Sequence, residues 1–198
     1  MSWIDIISPS DATGKLSKLY DRVSSPQGEI DNIMLVHSLR PHSLEGHMIL
    51  YKNVLHHTGN SVPKWFLEVL GVWVSMLNGC AYCVEHHYAG VARIMDDKER
   101  VSAIRAALET REILRVPVRD AEKEALRYAQ KLTERPKDMT EQDVISLRAE
   151  GFSDGEILEI NQVVSYFAFA NRTVLGLGCS THGDVLGLSP SNSADPED

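Results

Sequence analysis

Two cysteines, Cys80 and Cys83, two histidines, His86 and His87, and one acid, Glu68, carry most of the chemical potential of this sequence. On a helix turning about 100° per residue, Cys83 lies near 300° and His87 near 340° from Cys80, so the three share a face about 60° wide. His86, near 240° on the same scale, points off to the side. Gly79 places the Cys80 thiol at a helix N-terminus, where unpaired N–H groups and the macrodipole favour a thiolate. His87, four residues after Cys83, is a base within reach. Glu68 sits twelve positions before Cys80, among Trp65, Phe66, Leu67, Val69, Leu70, Val72 and Trp73. A buried carboxylate is costly unless paired or hydrogen-bonded. Glu68 therefore either lies on a solvent-facing edge or packs back against the dithiol helix and orients His87.

Several chemistries use such a cysteine pair. A c-type haem site needs histidine directly after the second cysteine, and Val84-Glu85 stands there instead. A structural zinc site draws its second ligand pair from a distant segment. A pair of inert buried thiols and a redox dithiol with its own proton acceptor complete the alternatives, and the redox dithiol is the leading one. A thioredoxin fold is excluded, because its motif follows a βαβ pattern that this chain lacks. His37, His42, His47, His56 and His57 enrich the preceding segment at spacings that match no metal pattern, and read as surface or partly buried residues. Trp73 and Tyr88 read as core. Cys179, in GLGCSTHG, reads as a small buried residue near a helix end, and Arg172 as a partner for Glu159 or an anion.

The elements around these residues are helical. Ser10 or Asp11 can cap a first helix with Leu16, Leu19, Tyr20 and Val23 on one face, and Pro41 opens another over roughly 41–58. From Pro63 to Leu77 the chain is apolar nearly all round, which suits a buried central helix. Asn78-Gly79 breaks it, and a helix follows from about Cys80 to Met95. Asp96-Asp97, Thr140 with Asp143, and Ser153 with Glu156 are cap signals for later helices. Strand signals are nearly absent. The expectation is an all-α domain of eight or nine helices over 1–188, with its redox core at 63–95, and a disordered acidic tail at 189–198. Phe66-Leu67-Glu68-Val69 is echoed by Ile157-Leu158-Glu159-Ile160, the mark of a decayed repeat or of two similar buried helices.

Composition bounds the function. The chain has 198 residues, 43% of them hydrophobic and 24% charged, enough for a sizeable core. A formal charge of −8 disfavours nucleic acid and anionic membranes as partners. The N-terminal residues lack the pattern of a secretory signal, and no apolar run approaches the roughly 18–20 residues of a bilayer span. The expected compartment is the cytoplasm, where Cys-x-x-Cys is catalytic or metal-binding more often than a staple.

Glu68, eleven residues, Cys80-x-x-Cys83, three residues and His87 together resemble the signature of the alkyl hydroperoxidase D-like family, within the carboxymuconolactone decarboxylase-like superfamily. Asn78-Gly79 before the motif fits as well. Leu19-Tyr20-Asp21 and Phe169-Ala170-Asn171-Arg172 are similar to the peroxidase-related branch, so a looser likeness extends over most of the chain. The resemblance implies an all-α fold, a homo-oligomer (trimer or hexamer), and reduction of peroxide at the expense of an external dithiol or thiol, with no cofactor and no metal. It implies that Cys83 is the peroxidatic cysteine, that Cys80 resolves it and donates a proton, and that Glu68 and His87 relay the proton away from Cys83. Tyr82 stands where a second histidine often sits in that family, which leaves its role and that of His86 open. The alternatives are a decarboxylase-like enzyme on a small lactone acid, which needs no dithiol, and a zinc or redox-sensing module.

Overall fold

Leu16, Leu19, Tyr20 and Val23 bury one face of the first helix, α1 (Gly14–Val23), as their spacing requires. The structure, a computed structural model, describes residues 2–25 and 27–187. Among these it holds α2 (Asn32–Leu35), α3 (Pro41–Tyr51), α4 (Lys64–Leu77), α5 (Ala81–Ile94), α6 (Lys98–Glu109), α7 (Asp120–Glu134), α8 (Glu141–Ala149) and α9 (Asp154–Leu177), with no strand. The expected all-α class is observed, and the described residues hold nine α-helices where eight or nine were expected. The expected tail at 189–198 lies outside the described residues.

α4 is the axis of the core. Every residue from Phe66 to Ser75 is buried, and α5, α7 and α9 pack around it. Trp73 is fully buried and its indole N–H donates to the Leu126 carbonyl of α7 at 3.0 Å. Burying such side chains contributes roughly 1.5–3 kcal/mol each, which no surface ion pair approaches. α4 ends at Asn78-Gly79, where Gly79 adopts φ 71° and the Cys80 N–H donates to the Ser75 carbonyl at 2.8 Å. The chain then folds back as a helical hairpin, so α5 lies along α4.

The cap signals hold at α6, α8 and α9. Asp97 accepts from the Arg100 N–H at 2.9 Å, Asp143 from the Thr140 N–H at 2.7 Å, and Glu156 from the Ser153 N–H at 2.8 Å. At α1 the signal misleads. Asp11 closes a short 3₁₀ turn, where it accepts from the Ser8 hydroxyl, and Thr13 takes the cap position. The helix expected over 41–58 is α-helical only to Tyr51, and Lys52–His56 continues as a π-turn. Two amides support that segment: Asn53 donates to the Ile49 carbonyl and Asn60 to the Val54 carbonyl.

The N-terminal segment is held against the end of α9 and against the residues that follow α2. The Trp3 N–H donates to the Leu177 carbonyl at 2.8 Å, and the Ile7 N–H to the Ser38 hydroxyl at 2.9 Å. Glu159, the echo of Glu68, accepts from the Ser61 and Val62 N–H groups instead of a histidine. Arg172 donates to the Ala168 carbonyl of its own helix, and Glu159 is engaged by Ser61 and Val62 instead. Among the described residues no helix is long and apolar enough to cross a membrane.

α4 and α9 approach closely because Gly71 has no side chain: a Cβ there would overlap the Phe167 ring. Gly71→Ala should therefore destabilise the protein by about 1–3 kcal/mol, the usual cost of overpacking. In a chain of this length that lowers the melting temperature by roughly 2–4 °C per kcal/mol, readable by thermal circular dichroism. An unchanged melting temperature would show that the two helices are not in this contact.

Candidate active site

Glu68 lies on α4, only 3% exposed, and its carboxylate accepts from His87 Nδ1 of α5 at 2.6 Å. The solvent-facing alternative is thus set aside, and the acid packs back onto the dithiol helix. Gly90, one turn past the histidine, makes room: a Cβ there would stand 3.3 Å from the carboxylate. Phe167 packs edge-on against the His87 ring at 4.5 Å. On the other side of the acid, His56 Nε2 lies 4.0 Å from Oε1. Burial pushes the Glu68 carboxyl up, but the charge and hydrogen bond of His87, with His56, outweigh it and hold the group below its usual range.

Cys80 is the N-cap residue of α5 and is fully buried; Cys83 sits in the first turn. Both are free thiols, hydrogen-bonded to each other with sulfurs 2.6 Å apart. Only Cys83 faces the adjoining cavity. A charge on the pair settles on Cys80, whose pKa is lowered by the hydrogen bond from Cys83 in spite of burial. The same bond, together with burial, holds Cys83 above the usual thiol range, while Asn171 acts in the opposite direction. Among the described residues no hydrogen bond joins His87 to either sulfur.

His86 points to a different partner, as the helical wheel implies. Its Nε2 lies 3.1 Å from Asp184 in the segment that follows α9. The Tyr82 hydroxyl donates to the same carboxylate at 2.7 Å and accepts from the Ile33 N–H at 3.1 Å. Tyr82 thus occupies its unusual position as a buried strut between α5, α2 and the C-terminal segment. Asp31 stands nearby, raised to about 6 by burial, with the Asp184 charge adding to the rise and His86 opposing it. The ligand atoms of Asp31, His86 and Asp184 lie within 4.8 Å of one another, so these three could hold a cation. No such group among the described residues includes a cysteine.

The cavity at Cys83 has a volume of about 50 Å³ and reaches Asp31, Tyr51, Tyr82, His87 and Phe167. It also reaches His47 and Tyr166, which sequence reasoning left among the background. His47 was findable, since it shares the buried face of α3 with Leu44, Met48 and Tyr51. His56 reaches Glu68 only through the π-turn, which periodicity does not announce. His42 and His57 are exposed, as expected.

No protein-family model matches the sequence, and no curated protein matches it. Solved structures do. Over 90% of this chain and 91% of the other, it superposes on the alkylhydroperoxidase AhpD core of an uncharacterized peroxidase-related protein from Ralstonia eutropha JMP134, with a TM-score of 0.78 and 21% identity. The class of fold is therefore that of the AhpD core, in agreement with the resemblance read from the motif. An uncharacterized peroxidase-related protein from Silicibacter sp. TM1040 has the same TM-score, with 22% identity over 90% and 91% of the chains. The debrominase Bmp8 is also similar, with a TM-score of 0.70 and 20% identity over 88% and 89%.

The buried histidines predict a pH response. Burial lowers His47 to about 3 and His56 to about 4, against 6.5 in the unfolded chain. Below about pH 6.5 the unfolded chain binds protons that these folded sites refuse, so stability falls on acidification toward pH 4. Each histidine contributes a slope of about 1.4 kcal/mol per pH unit within its window, and Asp31 opposes it between about pH 4 and 6. In urea titrations at pH 6.5, 5.5 and 4.5, His56→Gln should flatten the slope. A slope equal to that of the wild type would mean that His56 is not held neutral.

Proposed function

We propose that the protein is a thiol-dependent, peroxidase-like oxidoreductase that reduces hydrogen peroxide or small organic hydroperoxides through the Cys80–Cys83 dithiol. The observation that carries this reading is the placement of Cys83 on the wall of a small cavity, in contact with a second thiol, with the buried Glu68–His87 pair on the same wall. His87 Nδ1–H donates to Glu68, which leaves Nε2 as the accepting nitrogen.

The chemistry balances with these groups. His87 takes one proton from the dithiol, leaving one proton shared between the sulfurs. Cys83 thiolate attacks a peroxide oxygen; the S–O bond forms, the O–O bond breaks, and the departing oxygen takes the shared proton. Cys80 thiolate then attacks the Cys83 sulfenic acid, forming the disulfide, and the hydroxide leaves with the proton held by His87. The sulfurs already lie 2.6 Å apart, near the length of about 2.05 Å that the bond requires. An external dithiol returns two electrons by exchange. The reading suits a reducing compartment such as the cytoplasm and needs neither nucleic acid nor membrane.

Rival readings fit less well. The cavity at Cys83 is small, about 50 Å³, which suits a peroxide. A lactone acid would meet the Asp31 carboxylate, and among the described residues no Lys or Arg lines the cavity to receive it. Zinc on Cys80 and Cys83 would lack a neighbouring third ligand among the described residues.

Cys83→Ser should reduce peroxide consumption to background with dihydrolipoamide, thioredoxin or glutathione as reductant, and full activity in this variant would sink the proposal. Glu68→Gln should lower kcat/KM by on the order of 100-fold near neutral pH, the usual worth of an acid–base relay. The homo-oligomer that the resemblance implies would cover exposed apolar side chains of α3 and α9, among them Ile49, Leu50, Phe169 and Leu175. Sedimentation equilibrium should find a trimer or hexamer, and a strict monomer would remove that part of the reading.

A further inference from the structure

A disulfide between Cys80 and Cys83 poses an access problem. Cys80 is 0% exposed and Cys83 is 3% exposed, at the wall of a cavity of about 50 Å³. A peroxide or a small thiol fits there, but the redox site of a protein dithiol does not. Exchange requires the attacking sulfur to reach its target in line, so a buried disulfide is shielded from large reductants.

The third thiol lies where it bridges this gap. α9 ends in Gly178, in the left-handed conformation at φ 65°, and the next residue is Cys179, whose N–H donates back to the Val174 carbonyl at 3.0 Å. This turn packs Cys179 against the cluster formed by Cys80, Tyr82, Cys83 and Val174, while leaving it part exposed. Cys179 is therefore not an isolated cysteine: it packs on the cluster that holds the dithiol, within electrostatic range of both sulfurs. The segment that carries it is tied down on both sides. The Trp3 ring covers Gly178, and the Asn32 amide donates to the carbonyls of Ser180 and His182 at 2.9 and 3.0 Å.

We infer that Cys179 is an exit thiol, which carries the oxidising equivalent from the buried disulfide to the surface for reduction by a protein dithiol; the inference rests on the peroxidase reading above. The Cys179 thiolate attacks the Cys80 sulfur. The Cys80–Cys179 bond forms, the Cys80–Cys83 bond breaks, and the electron pair leaves on Cys83, which regains a proton. A reductant thiolate then attacks Cys179, releasing Cys80, and its second thiol displaces Cys179. The reductant ends as a disulfide and all three cysteines as thiols.

Electrostatics gives the step a direction. Cys179 is raised to about 11, chiefly by burial, with the charges of Asp184 and Cys80 adding to the rise. Oxidation removes the Cys80 charge, so Cys179 ionises more readily when there is a disulfide to attack and less readily when there is none. Cys83 is a strongly protonated thiol beside its partner, so it re-forms as the thiol and is ready for the next peroxide while Cys80 and Cys179 await reductant.

The test separates the two half-reactions. Wild type and Cys179→Ser are oxidised with one equivalent of hydrogen peroxide, desalted, and reduced with either thioredoxin or dithiothreitol, with non-reducing peptide mapping at each stage. Both proteins should carry the Cys80–Cys83 disulfide after peroxide. Thioredoxin should then reduce Cys179→Ser at least about tenfold more slowly than wild type, whereas dithiothreitol should reduce both within about twofold. Cys83→Ala, which retains Cys80 and Cys179, should form a Cys80–Cys179 disulfide with oxidised glutathione. Equal thioredoxin rates, or no Cys179 disulfide in Cys83→Ala, would overturn the inference. Absence of the Cys80–Cys83 disulfide from both peroxide-treated proteins would instead overturn the peroxidase reading beneath it.

Discussion

A single carboxylate sets the geometry of this fold. Glu68 projects from a helix that is otherwise apolar on every side, and the interior tolerates its charge only because His87 meets it at 2.6 Å. Removing one partner of such a buried pair strands the other and typically costs about 3–5 kcal/mol. The pair therefore fixes how α5 lies on α4, and with it every other feature of the site. The turn at Asn78-Gly79 reverses the chain within two residues, Gly79 supplies the left-handed backbone, and Gly90 keeps a side chain off the carboxylate. Once α5 is registered by this contact, Cys83 falls on the wall of the same cavity, one helical turn before His87.

Much of this was legible in the residues themselves. Cap and proline signals located the starts of α3 to α9 nearly to the residue, because a helix start leaves N–H groups that need partners, whereas α3 stops at Tyr51, well short of the expected 58. The common face of Cys83 and His87 followed from spacing alone, and the isolation of Glu68 among apolar neighbours pointed to a partner. The illegible parts depend on contacts distant in sequence. Asp184 reaches His86 and Tyr82 across about a hundred residues, and the local sequence around it reads only as loop. His56 turns inward because the end of α3 widens into a π-turn, where the count of residues per turn changes and wheel arithmetic fails. At Asp11 a side-chain oxygen of the correct type found a nearer donor in Ser8, so composition outran geometry.

Consecutive histidines on one helix have been given different work. His87 turns to Glu68 beneath the cavity, and His86 turns to Asp184 at its rim, about 100° round the helix. Both carboxylates are nearly sealed from solvent, with side-chain exposures of 4% and 2%. Their surroundings differ. Glu68 lies among apolar side chains with histidines on two sides, whereas Asp184 also accepts from Tyr82 and from the Asn32 backbone at the start of α2. The first arrangement leaves a histidine nitrogen directed at the cavity. The second spends its hydrogen bonds on joining α2, α5 and the C-terminal segment, which makes Asp184 a strut whose loss would loosen the rim, and with it the segment that carries Cys179.

The charge distribution within the dithiol bears on how such a site would react. The sulfur that faces the cavity is the one that holds its proton, while the charge of the pair rests on buried Cys80 at the helix N-terminus. At first sight this reverses the roles that the family resemblance implies. The two views are compatible because a proton shared between sulfurs in contact moves at little cost, and a reaction draws on the thiolate that can reach the substrate. Charge stored on Cys80 is protected from oxidants by burial; charge moved to Cys83 exists only when the proton has crossed. On the proposed reading, a dithiol arranged in this way would keep its nucleophile masked until a substrate occupied the cavity beside His87, and would leave Cys80 holding the proton that the departing oxygen requires. On that reading, the helix N-terminus and the Glu68–His87 pair would act on one shared proton, with Cys80, Cys83 and His87 placed at α5 and Glu68 supplied by α4.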